Sequence, residues 1–536
     1  MVIVMKLMLV VFVDNKNDGG ASWLGLGYLI SMIKSTCDYI VKYYLFDEVE
    51  KALTDAKLYQ PTCVASPVLQ HNYLTSMDFL GKLRNQMPRI ITIIGNVLPS
   101  LYPKEIMELN PSVDYIVVGE GEYTFKNLLC NIKNNNNADF KKINGLVYRE
   151  SNDEIIINQK SELISNIDNL IFPDRKHYPH MPTAFGVLSS RGCEGNCTFC
   201  AARVIHKGGV RTRSIENVLD EVEELMKEYN CAQIGFYDAT FCSNKSDLIP
   251  RFTEICEGIK KRKIETNIQI NLRAEQISED IDEILQEFIS VGLHQILVGF
   301  ESGNEQDLKL YGKTAKKNDN VRAARYLREL GCFGYHSKLF IEYGFINFNP
   351  YSTIEKLKEN SAFLRESGLP VAFKDISSNL VLYEGAPICK KIRKDGLLLD
   401  DSMPFIIDTY NFRFEDESIS NLHQTILSVK TKMSDNIRKD FMMHFIVWQK
   451  LYGQNEEYEN LYMQYIDYIN CLTEFTLDFY DGLINRYERG KTGMSKDMMK
   501  ALNDFLEITK ILRKKLVSFQ RRVFMDLKKK QSLIVY

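Results

Sequence analysis

Cys193, Cys197 and Cys200 lie within one short run, Ser190-Arg191-Gly192-Cys193-Glu194-Gly195-Asn196-Cys197-Thr198-Phe199-Cys200, with the spacing C-x3-C-x2-C. Three thiolates on one loop suit three irons of a [4Fe–4S] cluster and leave the fourth iron without a protein ligand. An electron-carrying ferredoxin closes that position with a fourth cysteine. An open iron is instead a place for a substrate or cofactor to bind, so the spacing points to catalysis. Zinc is the competing reading, but it takes four ligands, usually as paired C-x2-C knuckles or a Cys/His mixture. His206 is the only histidine within twenty residues downstream, and no second knuckle follows. Ligand count favours the cluster.

The elements that position this loop read as a βα series. Residues 184–385 give strands over 186–189, 233–237, 267–272, 294–300, 338–343 and 376–382. Helices fall between them over 216–229, 247–261, 280–291, 318–330 and 354–367. Six strands are too few for a closed eight-stranded barrel, so the spacing predicts a partial (β/α)6 TIM barrel with its site at the carboxyl-terminal mouth.

A separate alternation precedes it, with strands over 2–13, 62–66, 89–94 and 115–118 and helices over 24–35, 73–86, 103–109 and 122–131. That rhythm predicts an α/β, doubly wound parallel sheet of Rossmann-like type. Its ligand loops lie beyond the strands' carboxyl ends: residues 14–23, 66–71, 95–100 and 119–122. A hairpin over 145–150 and 154–159 leads into a linker. Past residue 400 the rhythm stops, and helices are expected over 418–431, 435–451, 458–486 and 496–530. The expected domains are therefore 1–140, 141–175 (hairpin and linker), 176–390 and an α-helical region at 391–536.

Composition excludes little but narrows the partners. A net charge of -3 over 536 residues gives no electrostatic footprint for nucleic acid or an anionic membrane. The basic positions of the last helix, Arg513 to Lys530, read as a solvated face. No run of about eighteen apolar residues suggests a spanning helix. The apolar start, residues 1–13, is short and broken by Lys6, and reads as a buried strand rather than a signal peptide. Twelve cysteines with no pairing pattern, together with an oxygen-sensitive cluster, point to a reducing, cytoplasmic setting.

The cysteine loop and the strand-end residues together resemble the radical S-adenosylmethionine (SAM) superfamily. Phe199 matches the aromatic residue of that family's C-x3-C-φ-C motif. The resemblance implies that SAM chelates the open iron and is reductively split to methionine and a 5′-deoxyadenosyl radical. It also implies a one-electron reductant such as flavodoxin or ferredoxin. Asp238 stands where the family places an acidic residue near SAM, and Arg273 where a guanidinium would pair the SAM carboxylate. Glu301 and Ser302, in Gly299-Phe300-Glu301-Ser302-Gly303, match the segment that approaches the ribose. Each also has a plain structural reading, as a polar residue closing a strand. Tyr383-Glu384-Gly385-Ala386-Pro387 resembles a Tyr-Pro-Gly-Thr-Pro segment that marks the barrel's end.

The first domain resembles the cobalamin-binding domains fused to radical SAM cores. Trp23-Leu24-Gly25-Leu26-Gly27-Tyr28-Leu29 matches their Pro-Leu-Gly-Leu-x-Tyr-Leu helix start, with Trp23 for proline. Asp114 to Glu122 matches their Val-Asp-x-Val-Val-x-Gly-Glu-Gly-Glu run. The resemblance thus assigns Trp23, Leu24, Ser66, Gly95, Gly119, Glu120, Gly121 and Glu122 to a cobalamin site. Two positions depart from the pattern: Asn96 replaces a second glycine, and Pro67 removes an N–H beside Ser66.

The favoured reading is a cobalamin-dependent radical SAM methyltransferase acting on an unactivated carbon of a peptide or small metabolite. A cobalamin-independent peptide epimerase or cross-linking enzyme, and a non-catalytic iron–sulfur scaffold, are the alternatives. His71, His177 and His180, and Cys242, Cys332 and Cys389, carry no pairing that would make a second metal site.

Overall fold

The computed structural model describes residues 5–14, 21–134, 137–150, 153–178, 185–205, 209–229, 231, 233–242, 245–330, 339–399, 412–430 and 456–531. The chain divides into two compact units. One comprises residues 1–271, 381–394 and 400–411, the other 272–380, 395–399 and 412–536.

The first unit opens with β1 (Lys6–Val13), in which seven of eight residues are buried. Met8, Val10 and Phe12 enter one core and Leu7, Leu9, Val11 and Val13 another, on opposite faces of the strand. Burial on both faces is what turns the expected alternation into an unbroken apolar run. Around β1 stand β2 (Asp38–Leu45), β3 (Cys63–Pro67), β4 (Ile91–Gly95) and β5 (Tyr115–Val117), all parallel, in the order β2-β1-β3-β4-β5. This is the flavodoxin-like doubly wound order, whose ligand crevice lies at the β1/β3 switch point.

The helices α1 (Ala21–Ile33), α2 (Val49–Tyr59), α3 (Tyr73–Gln86), α4 (Val97–Leu101), α5 (Pro103–Leu109) and α6 (Glu122–Lys133) connect the strands. The expected hairpin is present as β6 (Leu146–Arg149) and β7 (Ile155–Ile157), which extend the same sheet, β6 antiparallel to β5 and β7 antiparallel to β6. Three elements of this sheet domain go beyond the sequence reading, β2, α2 and α4. The strand's half-exposed burial pattern explains the first: Asp38 and Lys42 interrupt its apolar residues, as on many edge strands.

Still within the first unit, β8 (Phe185–Val187) runs into β9 (Ser190–Arg191) and the cysteine loop, followed by α7 (Ala201–Ile205) and β10 (Arg211–Thr212). Next come α8 (Ile215–Tyr229), β11 (Gln233–Phe236), α9 (Lys245–Arg262) and β12 (Asn267–Arg273), with β8, β11 and β12 parallel. Ser214 caps α8 as expected, accepting a hydrogen bond from the Asn217 amide at 3.2 Å. The chain passes from one unit to the other within β12.

The second unit continues the series with β13 (Leu293–Glu301) and β14 (Phe340–Phe345), a parallel pair. The sixth strand expected over 376–382 is corrected. Phe373–Ile376 is a short helix, and Phe348 and Asn379 form a single parallel bridge in place of a ladder. Side chains compete with the ladder there: Asp375 accepts from the Ala372 amide, and the Ser378 hydroxyl donates to the Asp375 carbonyl. Helices Glu417–Lys430, Glu456–Glu488 and Lys496–Gln531 follow. The helix expected over 435–451 lies outside the described residues. No helix among the described residues is long and apolar enough to cross a membrane.

Candidate active site

The strand that delivers the cysteine loop is gripped from α8. Arg175 donates to the Gly186 carbonyl at 2.7 Å and Arg213 to the Leu188 carbonyl at 2.8 Å, on either side of the end of β8. Glu221 bridges the two, at 2.5 Å to each guanidinium, and all three side chains are at most 3% exposed. Tyr28 lies nearby, its phenol pushed well up by burial and by the Glu221 charge.

Asp238, at the end of β11, is 1% exposed and faces the same strand end. Its carboxylate accepts from the Ser189 amide (2.8 Å), the Ser190 amide (2.7 Å) and the Ser189 hydroxyl (2.5 Å). Burial pushes its pKa up to about 6 against the lowering pull of those donors. These three bonds make Asp238 a fixture of the strand preceding the cluster loop.

β9 and β10 close the neck of that loop. Gly192 has φ +102°, and a Cβ there would meet the Gly209 carbonyl oxygen at 2.2 Å, so no other residue fits. Within the loop the Gly195 amide donates to Cys193 Sγ at 3.3 Å, and all three cysteines are partly exposed. Among the described residues no three His, Cys, Asp or Glu side chains converge on one point fit for a single metal ion. A cubane does not ask for that, because each thiolate holds a different iron. Three accessible sulfurs on one closed loop, one of them met by a backbone N–H, fit the cluster. Phe199 is partly buried within the same loop, and the Thr198 carbonyl accepts from the Ile388 amide at 3.0 Å.

The motif after β5 meets this neck. Glu120 accepts from Arg211 at 2.7 and 2.9 Å and from the Ile164 amide at 2.8 Å, and lies 3.3 Å from Arg191. Glu122 binds Arg191 at 2.6 Å, and the Tyr28 ring lies 5.0 Å from that guanidinium. Burial works to raise the Glu120 pKa, but Arg211, the Ile164 amide and Arg191 overcome it and hold the carboxyl at about 2. The carboxylates of this run are thus engaged by arginines of the cysteine-loop neck.

The other first-domain residues divide by role. Trp23 and Leu24 are 3% exposed; Trp23 packs on Tyr43 and Tyr178, and Leu24 on Tyr28, Ile167 and Leu170. Ser66, Gly95 and Gly119 stand at or just past the carboxyl ends of the adjacent strands β3, β4 and β5. Gly119 takes φ +80°, and Gly121 precedes α6. Ser66 is 2% exposed, and its Oγ has no hydrogen-bond partner among the described residues. An unmet hydroxyl buried beside the switch point fits a ligand at this edge, cobalamin included.

Asn96 holds φ 90° and ψ −163°, a region almost reserved for glycine, and its side chain turns back to accept from the Val97 amide at 2.8 Å. The backbone path of the missing glycine is therefore kept. Glycine at 96 is expected to stabilise the chain by about 1 kcal/mol, strain relief of about 1–3 kcal/mol outweighing a cap worth a few tenths. Alanine, which loses the cap and keeps the strain, is expected to destabilise it; urea midpoints of the two variants check the pair of signs.

In the second unit, Glu301 ends β13 at φ 64°, with Gly299 and Gly344 leaving room for its carboxylate. Lys313, which the sequence reading passed over, lies 3.5 Å from it and is 4% exposed. Ser302 is fully buried and donates to Asn360 at 2.9 Å. Arg273 pairs with Glu275 and donates to Thr314. His71 and His177 sit in ring contacts with Phe46 and Tyr39. Cys242 and Cys389 are buried thiols pushed up to about 12. His180, His206 and Cys332 lie outside the described residues.

Sequence reasoning also missed Arg175, Glu221, Arg191 and Arg211. The available signal was the arginine spacing on both flanks of the cysteines, Arg191 before and Arg211 with Arg213 after. It also claimed no chemistry for Glu384, which is 4% exposed and binds Tyr102 at 2.7 Å and Arg393 at 2.9 Å.

Comparison with known proteins agrees with both halves. A B12 binding domain family matches residues 15–129, and the Radical SAM superfamily matches residues 187–359. An uncharacterized methyltransferase of Pyrococcus horikoshii is 26% identical over 387 residues, covering 70% of this chain and 79% of the relative. An anaerobic magnesium-protoporphyrin IX monomethyl ester cyclase of a Synechocystis species is 27% identical over 299 residues, covering 53% of this chain and 58% of its own. Among solved structures, the cobalamin-dependent S-adenosylmethionine radical enzyme OxsB, with aqua-cobalamin and S-adenosylmethionine bound, superposes with a TM-score of 0.67. At 20% identity, covering 97% of this chain and 82% of OxsB, that likeness establishes the fold.

Proposed function

Because this chain belongs to the radical SAM superfamily, in the form that carries a B12 binding domain ahead of the radical core, we propose that it is a cobalamin-dependent methyltransferase. Its substrate on this reading is an unactivated carbon of a peptide or small metabolite. When bound, the [4Fe–4S] cluster supplies an electron to SAM and cobalamin supplies a methyl carrier. Cys193, Cys197 and Cys200 would hold the cluster, and Ser66, Gly95 and Gly119 would line the corrin edge.

The observation that carries this reading is the shared compact unit. The edge loop bearing Glu120 and Glu122 is ion-paired to the neck of the cysteine loop, so the two cofactor-bearing parts are held against each other. Fixed placement of reacting groups is what a protein contributes to such chemistry. We assign Arg273 and Glu301 to SAM on their strand-end positions, with Ser302, fully buried and bonded to Asn360, supporting the same segment from behind. Asp238 acts one step back, holding Ser189 and Ser190 ahead of the cluster loop. The near-neutral charge favours a peptide or metabolite over nucleic acid. A one-electron donor such as flavodoxin or ferredoxin would complete the system.

The test is anaerobic purification from cells supplied with hydroxocobalamin, then incubation with methyl-labelled SAM. Corrin in equal amount to the chain, acquiring the label, is the expected result. Protein that forms 5′-deoxyadenosine yet carries no corrin would overturn the cobalamin assignment.

A further inference from the structure

We propose that Glu120 is a positioning residue for the iron–sulfur cluster, its carboxylate clamping together the two ends of the cysteine loop. The inference rests on the cluster assignment above and adds a role for a side chain of the other domain.

All three cysteines lie between Arg191 and Arg211. The strands carrying those arginines meet in only two register pairs, Arg191 with Arg211 and Ser190 with Thr212. So short a ribbon is marginal by itself. Its first pair also sets two guanidinium groups directly opposite each other, and like charges across a ladder destabilise it. Glu120 reverses that sign. One oxygen lies 3.3 Å from Arg191 and 2.7 Å from Arg211, and the other accepts from Arg211 at 2.9 Å. The Ile164 amide, 2.8 Å away, fixes the same carboxylate from a third direction.

The clamp is shielded from water, with Glu120 at 7%, Arg191 at 9% and Arg211 at 11% exposure. Glu122 differs in one respect: its recorded ion pair is to Arg191, so it steadies one end of the loop and cannot close it. The close approach of Gly192 to the Gly209 carbonyl lies just inside the clamp and needs the two ends held together.

The experiment uses anaerobically reconstituted full-length holoprotein. Iron release to a chelator, the electron paramagnetic resonance spectrum of the reduced cluster and corrin content are measured for wild type, Glu120→Gln, Glu122→Gln and Arg211→Lys. Glu120→Gln is expected to lose iron about tenfold faster, the effect of one charge-assisted hydrogen bond. It is also expected to shift the cluster spectrum while retaining corrin. Arg211→Lys, which keeps the charge but loses the fork, should move both readouts the same way, and it serves if Glu120→Gln does not fold. Glu122→Gln should fall between Glu120→Gln and wild type.

Unchanged iron release and spectrum in Glu120→Gln and Arg211→Lys overturn the clamp, as does loss of corrin with an unaltered cluster. Wild-type protein that takes up no cluster overturns the functional reading and the clamp with it. That failure is separate, because it appears before any variant is made.

Discussion

Alanine at any one of Cys193, Cys197 and Cys200 leaves a chain that no longer holds its cluster and no longer splits SAM. Each thiolate holds a different iron of the cubane, so one substitution opens a second iron to solvent and the loss is expected to be complete. Iron content and 5′-deoxyadenosine formation, both falling to background, are the readouts. Alanine at Cys242 or Cys389 serves as the control. Burial pushes those thiols up to about 12, so near neutral pH they remain protonated, whereas a cluster ligand must be a thiolate. Both control variants should keep their iron. A full cluster in any of the three loop variants would contradict the ligand assignment.

Glu221→Ala is expected to cost about 3–5 kcal/mol, the usual penalty for removing one partner of a buried ion pair. The substitution strands two guanidinium groups that are 3% and 2% exposed. Besides bonds to Pro173 and Asn217, they donate to the carbonyls of Gly186 and Leu188, so neither can swing out to water without releasing the strand that feeds the cysteine loop. Equilibrium unfolding in urea measures the loss, and iron uptake should fall with it. A change under about 1 kcal/mol would mean that Arg175 and Arg213 find other partners, and that Glu221 is a bystander.

Much of this architecture was legible in the sequence because its signals are local. The bounds of α3 and α5 follow from their own residues, Pro103 opening the latter. The cysteine spacing needs no partner elsewhere in the chain to be read. What escaped depends on tertiary pairing. β2 has a mixed pattern because it lies at an edge, and the strand expected over 376–382 gave way to Asp375 and Ser378, whose hydrogen bonds favour a turn. The site shows the same division. Glu120 and Glu122 were read from their motif as cofactor contacts, since a motif cannot reveal that Arg191 and Arg211 lie opposite. Asn96 is the reverse case: the residue departs from the motif, yet the backbone keeps glycine's path, at some strain, and the side chain caps its own helix.

The account depends on an open iron that takes SAM and splits it by one electron. The most direct measurement incubates the anaerobically reconstituted wild-type chain with SAM and dithionite and follows products over time. Formation of 5′-deoxyadenosine with methionine in equal amount is the predicted result. A reduced, intact cluster beside SAM recovered unchanged would contradict it.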